Sequence, residues 1–200
     1  MMGFEPSFNN KINIHIGGMY GDAQATADRW IKNWKTLSDN LKKRLVIEND
    51  DKAGMWSVQM LYDYFHTVIG IPITFDFFHH TFHPDGLSEE EALKLAATTW
   101  PKGITQCTHY SESRRDEKKE MIMQLCENNS IDFDTLGETE EWPTIAMHKK
   151  KWGKIRVQAH ADYCKKPINT YGLNIDIMLE AKAKESALME SIEINKEILI

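Results

Sequence analysis

The 200-residue chain contains no apolar run near the ~20 residues that a membrane-spanning helix needs, so a membrane protein is not expected. It has only three cysteines, Cys107, Cys126 and Cys164, which are odd in number and widely spaced. Such a set argues against a disulfide framework and predicts a reducing compartment, cytoplasmic or nuclear. Basic residues are not in excess either, since 24 Lys and Arg against 30 Asp and Glu give a formal net charge of −6. This balance argues mildly against nucleic-acid binding, although bound divalent metals reverse the sign locally.

What the sequence does contain is an alternation of short apolar strands with longer helical patterns, which is typical of parallel βα units. Strands are predicted at 11–16, 45–48, 72–76, 104–109 and 174–180. Helices are predicted from about Asp22 to Leu41, after Ser57, after Ser88 and from about 182 to 198. The pattern predicts a single α/β domain over residues 1–200.

One stretch, at about 112–157, breaks this alternation, and we interpret it as an insertion. It holds a short amphipathic helix around 118–125, an acidic run at 138–141 and a basic cluster. The cluster consists of Lys149, Lys150, Lys151, Lys154 and Arg156. Charge runs are usually solvent-facing, so a solvated excursion and a DNA-contacting arm both stay open.

Polar residues at the strand ends carry the strongest chemical signal. Alternate residues of a strand face opposite sides, and counting back from His15 places Asn13 on the same face, opposite Ile14. The strand-end residues on this polar face are His15, Glu48, Asp76, His109 and Glu180, with His79 three residues after Asp76. Catalytic residues of TIM barrels occupy such C-terminal strand ends. Adjacent carboxylates repel one another unless cations lie between them, so these residues predict a metal centre.

Histidine nitrogens and carboxylate oxygens without thiolates suit Zn²⁺, Mn²⁺ or Fe²⁺. Two bridging carboxylates, Glu48 and Glu180, indicate more than one ion. His160 and Asp162 add a further histidine and carboxylate before the last strand. His80 and His83 follow His79, but only one of two consecutive residues usually faces inward.

Six segments closely resemble, in the same order, the UV-damage endonuclease family. They are Ile14–Gly18, Leu45–Asp50, Phe75–His80, Thr108–Ser111, His160–Tyr163 and Met178–Lys184. The resemblance implies a TIM-type (β/α) barrel, of which this chain would supply about five of the eight βα units. It also implies metal-dependent hydrolysis of the phosphodiester 5′ to UV photoproducts in double-stranded DNA, a DNA-repair reaction. The cofactors would be up to three divalent ions, manganese or alternatively zinc.

Carried over residue by residue, the resemblance implies seven metal ligands and four catalytic residues. The ligands would be His15, Glu48, Asp76, His79, His109, His160 and Glu180. The catalytic residues would be Glu48, His109, Glu180 and Lys182. Lys182 and Lys184 would hold phosphates or, as an equal alternative, form surface salt bridges.

The chain departs from the family pattern in three ways. It begins directly before the family's fourth strand, which predicts a second chain that supplies the first βα units. Cys107 stands where the family often has a lysine among the metals. The 112–157 insertion is longer than the usual connection. The alternatives are an abasic-site endonuclease, a sugar isomerase of the same fold, or an inactive remnant or subunit.

Overall fold

A computed structural model describes residues 3–138 and 141–198, which divide into two compact units. The first unit comprises the described residues to Tyr110 together with Asn169–Met178. The second comprises Ser111–Ile168 together with the described residues from Leu179 onward. Two residues of the predicted acidic run, 139 and 140, lie outside the described residues. The single domain over 1–200 and the insertion bounds of about 112–157 stay predictions.

All five predicted strands are present, with bounds shifted by at most two residues. They are β1 (Ile12–His15), β2 (Leu45–Glu48), β3 (Ile73–Asp76), β4 (Gln106–Tyr110) and β5 (Ile175–Leu179). They form one sheet in sequence order, and β1 to β4 pair in parallel. The register sets His15 opposite Glu48, but it sets Glu48 opposite Thr74 and Asp76 opposite His109. Asp76 and His109 therefore lie two residues further along the sheet than His15 and Glu48.

Helices connect the strands of the first unit, as the periodicity predicts. They are α1 (Ala23–Lys35), α2 (Asp39–Lys42), α3 (Val58–Leu61), α4 (Thr67–Ile69), α5 (Phe77–Phe82) and α6 (Glu89–Thr98). Ser88 and Glu91 form a capping box at the start of α6, because the side chain of each bonds the other's backbone N–H. The helix predicted to Leu41 is wrong in its extent: it ends at Lys35, and Ser38 caps a separate turn. The short helix α5, which directly follows β3, was not predicted.

The second unit is built around two helices that were largely unforeseen. They are α7 (Arg114–Asn128), longer than the predicted 118–125, and α8 (Pro143–Trp152). A small core of its own joins them: Ile122 and Cys126 of α7 are buried with Leu136 and Ile145. The last helix, α9 (Glu185–Ile194), is shorter than the predicted 182–198.

The described sheet has β1 and β5 at its two ends. Across residues 3–138 and 141–198 no pairing joins these two strands, so the observed fold is a parallel α/β sheet rather than a closed barrel. The TIM-type barrel stays a prediction. Among the same residues, no helix has the length and apolar character that crossing a membrane would require.

Candidate metal centre

Five of the predicted ligands converge at one end of the first unit's sheet. His15, Glu48 and Asp76 end their strands, His109 lies one residue before the end of β4, and His79 lies in the first turns of α5. Glu48 is central: its Oε1 lies 3.3 Å from Nδ1 of His109 and 3.5 Å from Nδ1 of His79. Its Oε2 lies 3.7 Å from Nε2 of His15.

The five residues form two groups that share Glu48. His15, Glu48 and His79 can each offer one ligand atom, and these atoms all lie within 4.8 Å of one another. Glu48, Asp76 and His109 do the same within the same limit. Each group combines imidazole nitrogen with carboxylate oxygen, a donor set suited to divalent Zn²⁺, Mn²⁺ or Fe²⁺. The arrangement is compatible with a divalent metal, and the shared Glu48 is placed to serve two positions.

Asp76 also suits a metal ligand, because one of its buried carboxylate oxygens has no hydrogen bond among the described residues. Its side chain is fully buried, and Oδ1 accepts a hydrogen bond from the backbone N–H of His79 at 2.7 Å. Oδ2 is buried without a hydrogen bond within the described part of the chain, 3.7 Å from Nδ1 of His79. Buried carboxylate oxygens are normally satisfied, so an oxygen left in this way suits a cation.

The sequence reasoning missed Asn49, which joins the ends of β2 and β3. Its side chain is almost fully buried; Nδ2 donates to the backbone oxygen of Asp76 at 3.0 Å, and Oδ1 accepts from the Asp76 N–H at 2.8 Å. Asp76 lies beyond the last residue of β3 that pairs with β2, so its backbone has no strand partner on the β2 side. The Asn49 side-chain amide makes the hydrogen bonds that such a partner would make. The Asn49 carbonyl oxygen lies 2.9 Å from Nδ1 of His79. This contact favours the tautomer with its proton on Nδ1, which leaves Nε2 as the donor to a metal.

Asp50 and Asn13 are the other two polar neighbours that were not predicted. Asp50 Oδ1 lies 2.9 Å from Nδ1 of His15, and its backbone N–H donates to the Trp56 carbonyl at 2.8 Å. Asn13 donates from Nδ2 to Oε2 of Glu48. Asn13 was recognisable in principle, because it shares the polar face of β1 with His15. Both residues orient the predicted ligands.

The charges in the cluster shift its pKa values in different directions. Burial raises the pKa of Asp76 to about 7, against opposing charge from His79. Burial also acts to raise the pKa of Glu48, but its hydrogen bond with His109 and the nearby histidines together lower it. The hydrogen bond to Asp50 raises the pKa of His15. Asp76 is therefore the carboxyl of the cluster that holds its proton most strongly without a metal.

Two further histidines and a cysteine stand apart from this cluster. His80 is buried with its ring 5.3 Å from that of Phe75, and burial lowers its pKa. His80, His83 and Cys107 are in neither ligand group found among the described residues. Cys107 instead packs in an apolar cluster with Val46 and Trp100.

The remaining predicted residues belong to the second unit. There His160 Nδ1 lies 3.5 Å from Oε2 of Glu180, and both side chains are about one-third exposed. Asp162 is held by Lys118, whose Nζ lies 2.8 Å from Oδ2. Lys182 is exposed, and no ion pair to it occurs within the described ranges. That His160 and Glu180 are ligands of the same metal centre stays a prediction.

The family model described as UV-endonuclease UvdE matches residues 1–198 of this chain. A match over nearly the full length, together with the strand-end histidines and carboxylates, shows that the chain belongs to the UV-endonuclease UvdE family. The resemblance drawn from the six segments is thereby confirmed.

Individual relatives carry corresponding names. The UV-damage endonuclease of Schizosaccharomyces pombe is 44% identical over 106 residues, 50% of this chain and 17% of the relative. The UV DNA damage endonuclease of Clostridium perfringens is 38% identical over 115 residues, 56% of this chain and 27% of that protein. The Bacillus velezensis protein of the same name is 28% identical over 189 residues, 91% of this chain and 47% of its own length.

The crystal structure of SacUVDE matches with a TM-score of 0.64 and 27% sequence identity. The match covers 94% of this chain and 52% of the SacUVDE chain. The chain thus spans about half of that structure, and half or less of the relatives named above.

Proposed function

We propose that this chain carries a metal centre of a UV-damage endonuclease and takes part in hydrolysis of the phosphodiester 5′ to UV photoproducts in double-stranded DNA. The observation that carries the proposal is the convergence of His15, Glu48, Asp76, His79 and His109 at one sheet end in a member of this family. Divalent ions bound there, manganese or alternatively zinc and up to three in number, would supply Lewis-acid activation of the phosphate and of water.

The roles of the chain's own residues follow from their contacts. Glu48, shared by both ligand groups, is the proposed bridging carboxylate, and Asn13 restrains its Oε2. Asn49 fixes both the end of β3 and the ring of His79. A site with ligands held in this way needs little rearrangement when the reaction begins.

Further roles are proposed for residues of both units and for the whole protein. We propose His160 and Glu180 as further ligands, with Glu48, His109, Glu180 and Lys182 acting in catalysis. Lys182 is exposed and its charge acts on Asp162, so a phosphate contact and a surface salt bridge both stay open for it. A second chain supplying further βα units and a cytoplasmic or nuclear location stay predictions.

The direct test is nicking of a duplex that contains one pyrimidine dimer, with Mn²⁺ added to the metal-free chain. Nicking immediately 5′ to the dimer supports the proposal. Cleavage restricted to an abasic-site duplex, or isomerisation of an aldose, would favour the alternative enzymes of this fold. Metal binding with none of these activities would favour a remnant or a binding subunit.

Ligand assignments are tested separately by metal stoichiometry, which needs no activity. Asp76→Asn is expected to lose bound metal because the amide offers no negative charge. Glu180→Gln is expected to weaken metal binding and abolish nicking. Asp63→Asn is the matched control, since the exposed Asp63 side chain lies in the helical turns between α3 and α4 and accepts a hydrogen bond only from Gln59 among the described residues. Full metal content in Asp76→Asn would contradict its assignment.

A further inference from the structure

The segment from Pro143 to Val157 differs in charge from the rest of the chain. It contains Lys149, Lys150, Lys151, Lys154 and Arg156 and no acidic residue, in a protein whose formal net charge is −6. The segment comprises α8 and the turns that follow it, all within the second unit. Its concentration of one sign of charge makes it the strongest candidate surface outside the metal centre.

Lys149 is not available to bind a partner, although it lies in this segment. Its Nζ donates to three backbone carbonyls, those of Phe133 at 2.7 Å, Asp134 at 2.9 Å and Leu136 at 3.1 Å. An ammonium group has three donors, so all three are used inside the protein. Lys149 is therefore a structural cation that fixes the loop before α8.

Four cations remain available: Lys150, Lys151, Lys154 and Arg156, which we name the basic patch. All four are exposed, and across the described residues none has a carboxylate within 4.0 Å. The lysines in the last turn of α8 gain from the helix dipole, which explains Lys150 and Lys151 without a partner. Lys154 and Arg156 lie beyond the helix and gain nothing from it, so the dipole does not account for the patch as a whole.

The backbone that carries the patch is held in place. Trp152 donates from Nε1 to the Arg115 carbonyl at 2.9 Å, and its ring lies under the Arg115 guanidinium. The turns after the helix are closed by backbone bonds from Lys154 to Lys151 and from Ile155 to Trp152. A fixed backbone lowers the entropic cost of binding, because only the four side chains must be ordered.

We infer that the basic patch is a docking surface for the phosphate backbone of duplex DNA. The inference deepens the proposed function, on which it rests, by naming a surface of the second unit, made of residues other than the proposed ligands, that holds the same substrate. Lysine and arginine contacts to phosphate position a protein on DNA without reading its sequence. The patch is therefore expected to bind damaged and undamaged duplexes alike.

The test compares the full chain with a variant in which all four residues of the basic patch are changed to Gln. Binding to an undamaged and to a dimer-containing duplex is measured by fluorescence anisotropy without metal, over a range of salt. Each phosphate contact contributes about 0.9 to the slope of log affinity against log salt, so the slope should flatten by up to about 3.6. Affinity should fall at least about tenfold at low salt, equally for both duplexes.

The matched control changes Lys32, Lys35, Lys43 and Lys102 to Gln. These exposed lysines lie in the first unit, and their replacement alters the net charge by the same amount. The control should keep the slope and affinity of the unaltered chain. Equal losses in both variants, or no loss in the patch variant, would overturn the inference, because binding would then depend on net charge or on another surface.

Two further measurements separate folding and other partners from DNA docking. The patch variant should unfold within a few degrees of the unaltered chain, because losing the helix-dipole interaction of Lys150 and Lys151 offsets the removal of like charges, whereas Lys149→Met should unfold earlier. Patch-dependent binding to phosphatidylserine vesicles but not to DNA would overturn the inference. If the chain binds DNA through the basic patch but does not nick a dimer-containing duplex, the proposed function fails and the inference stands. If it nicks that duplex but binds DNA equally well without the patch, the proposed function stands and the inference fails.

Discussion

Replacing Asn49 by Leu is expected to destabilise the metal-free protein strongly. Leu has nearly the same shape but cannot bond the N–H and carbonyl of Asp76, whose side chain is fully buried. Each buried polar group left unsatisfied costs about 1–3 kcal/mol, so the two together cost about 2–6 kcal/mol. Such a loss is a large part of the ~5–15 kcal/mol by which domains are usually stable.

Urea unfolding of the metal-free protein, followed by circular dichroism, measures this difference. The control is Asn33→Leu, which alters an exposed position on α1 and should change the unfolding free energy by no more than ~0.5 kcal/mol. If Asn49→Leu stays within ~0.5 kcal/mol of the unaltered chain, then the amide does not hold β2 to β3 as the hydrogen bonds indicate.

Other predictions concern protons and charges. Because burial raises the pKa of Asp76 from 3.8 to about 7, folding takes up a proton between these values, so metal-free stability should fall by up to about 4 kcal/mol as pH rises from ~4 to ~7. The raised pKa of His15 extends this loss of stability above pH 6.5. Thermal unfolding at several pH values measures both effects. If Asp76→Asn loses as much stability over the same pH range, the loss is not due to the Asp76 carboxyl. Lys118→Met should cost about 1 kcal/mol, because the ion pair with Asp162 is partly exposed. The same substitution should raise the pKa of Asp162, because the hydrogen bond from Lys118 is the main cause that lowers it. An Asp162 pKa that NMR titration finds unchanged in Lys118→Met would contradict this role of Lys118.

The strand-end ligands were predictable because the alternation of a strand is a local property. Glu48 ends an apolar strand whose bounds the sequence predicts without error, and the period of two decides which face it shares with Val46. The same reasoning places His15 and His109 on the polar side of their strands. These predictions need no knowledge of how one strand is aligned with another.

The helices of the second unit were less predictable because non-local contacts stabilise them. The predicted 118–125 covers only the middle of α7, and α8 lies in the 112–157 stretch for which the sequence predicts an insertion without a second helix. α8 begins at Pro143 after a residue with positive φ, and side-chain bonds from Lys149 and Trp152 anchor it to other segments. Such contacts leave no periodic signal in the sequence.

Asn49 and Asp50 escaped prediction because their roles depend on the alignment of strands. Glu48 pairs with Thr74, so Asp76 extends two residues beyond the pairing partner of Glu48, and the Asn49 amide bonds the backbone there. That stagger is a property of two strands together, which the alternation within either strand does not specify. It also accounts for the two ligand groups: the stagger places Asp76 and His109 one level beyond His15 and Glu48. The Glu48 carboxylate is thereby placed to take part in both.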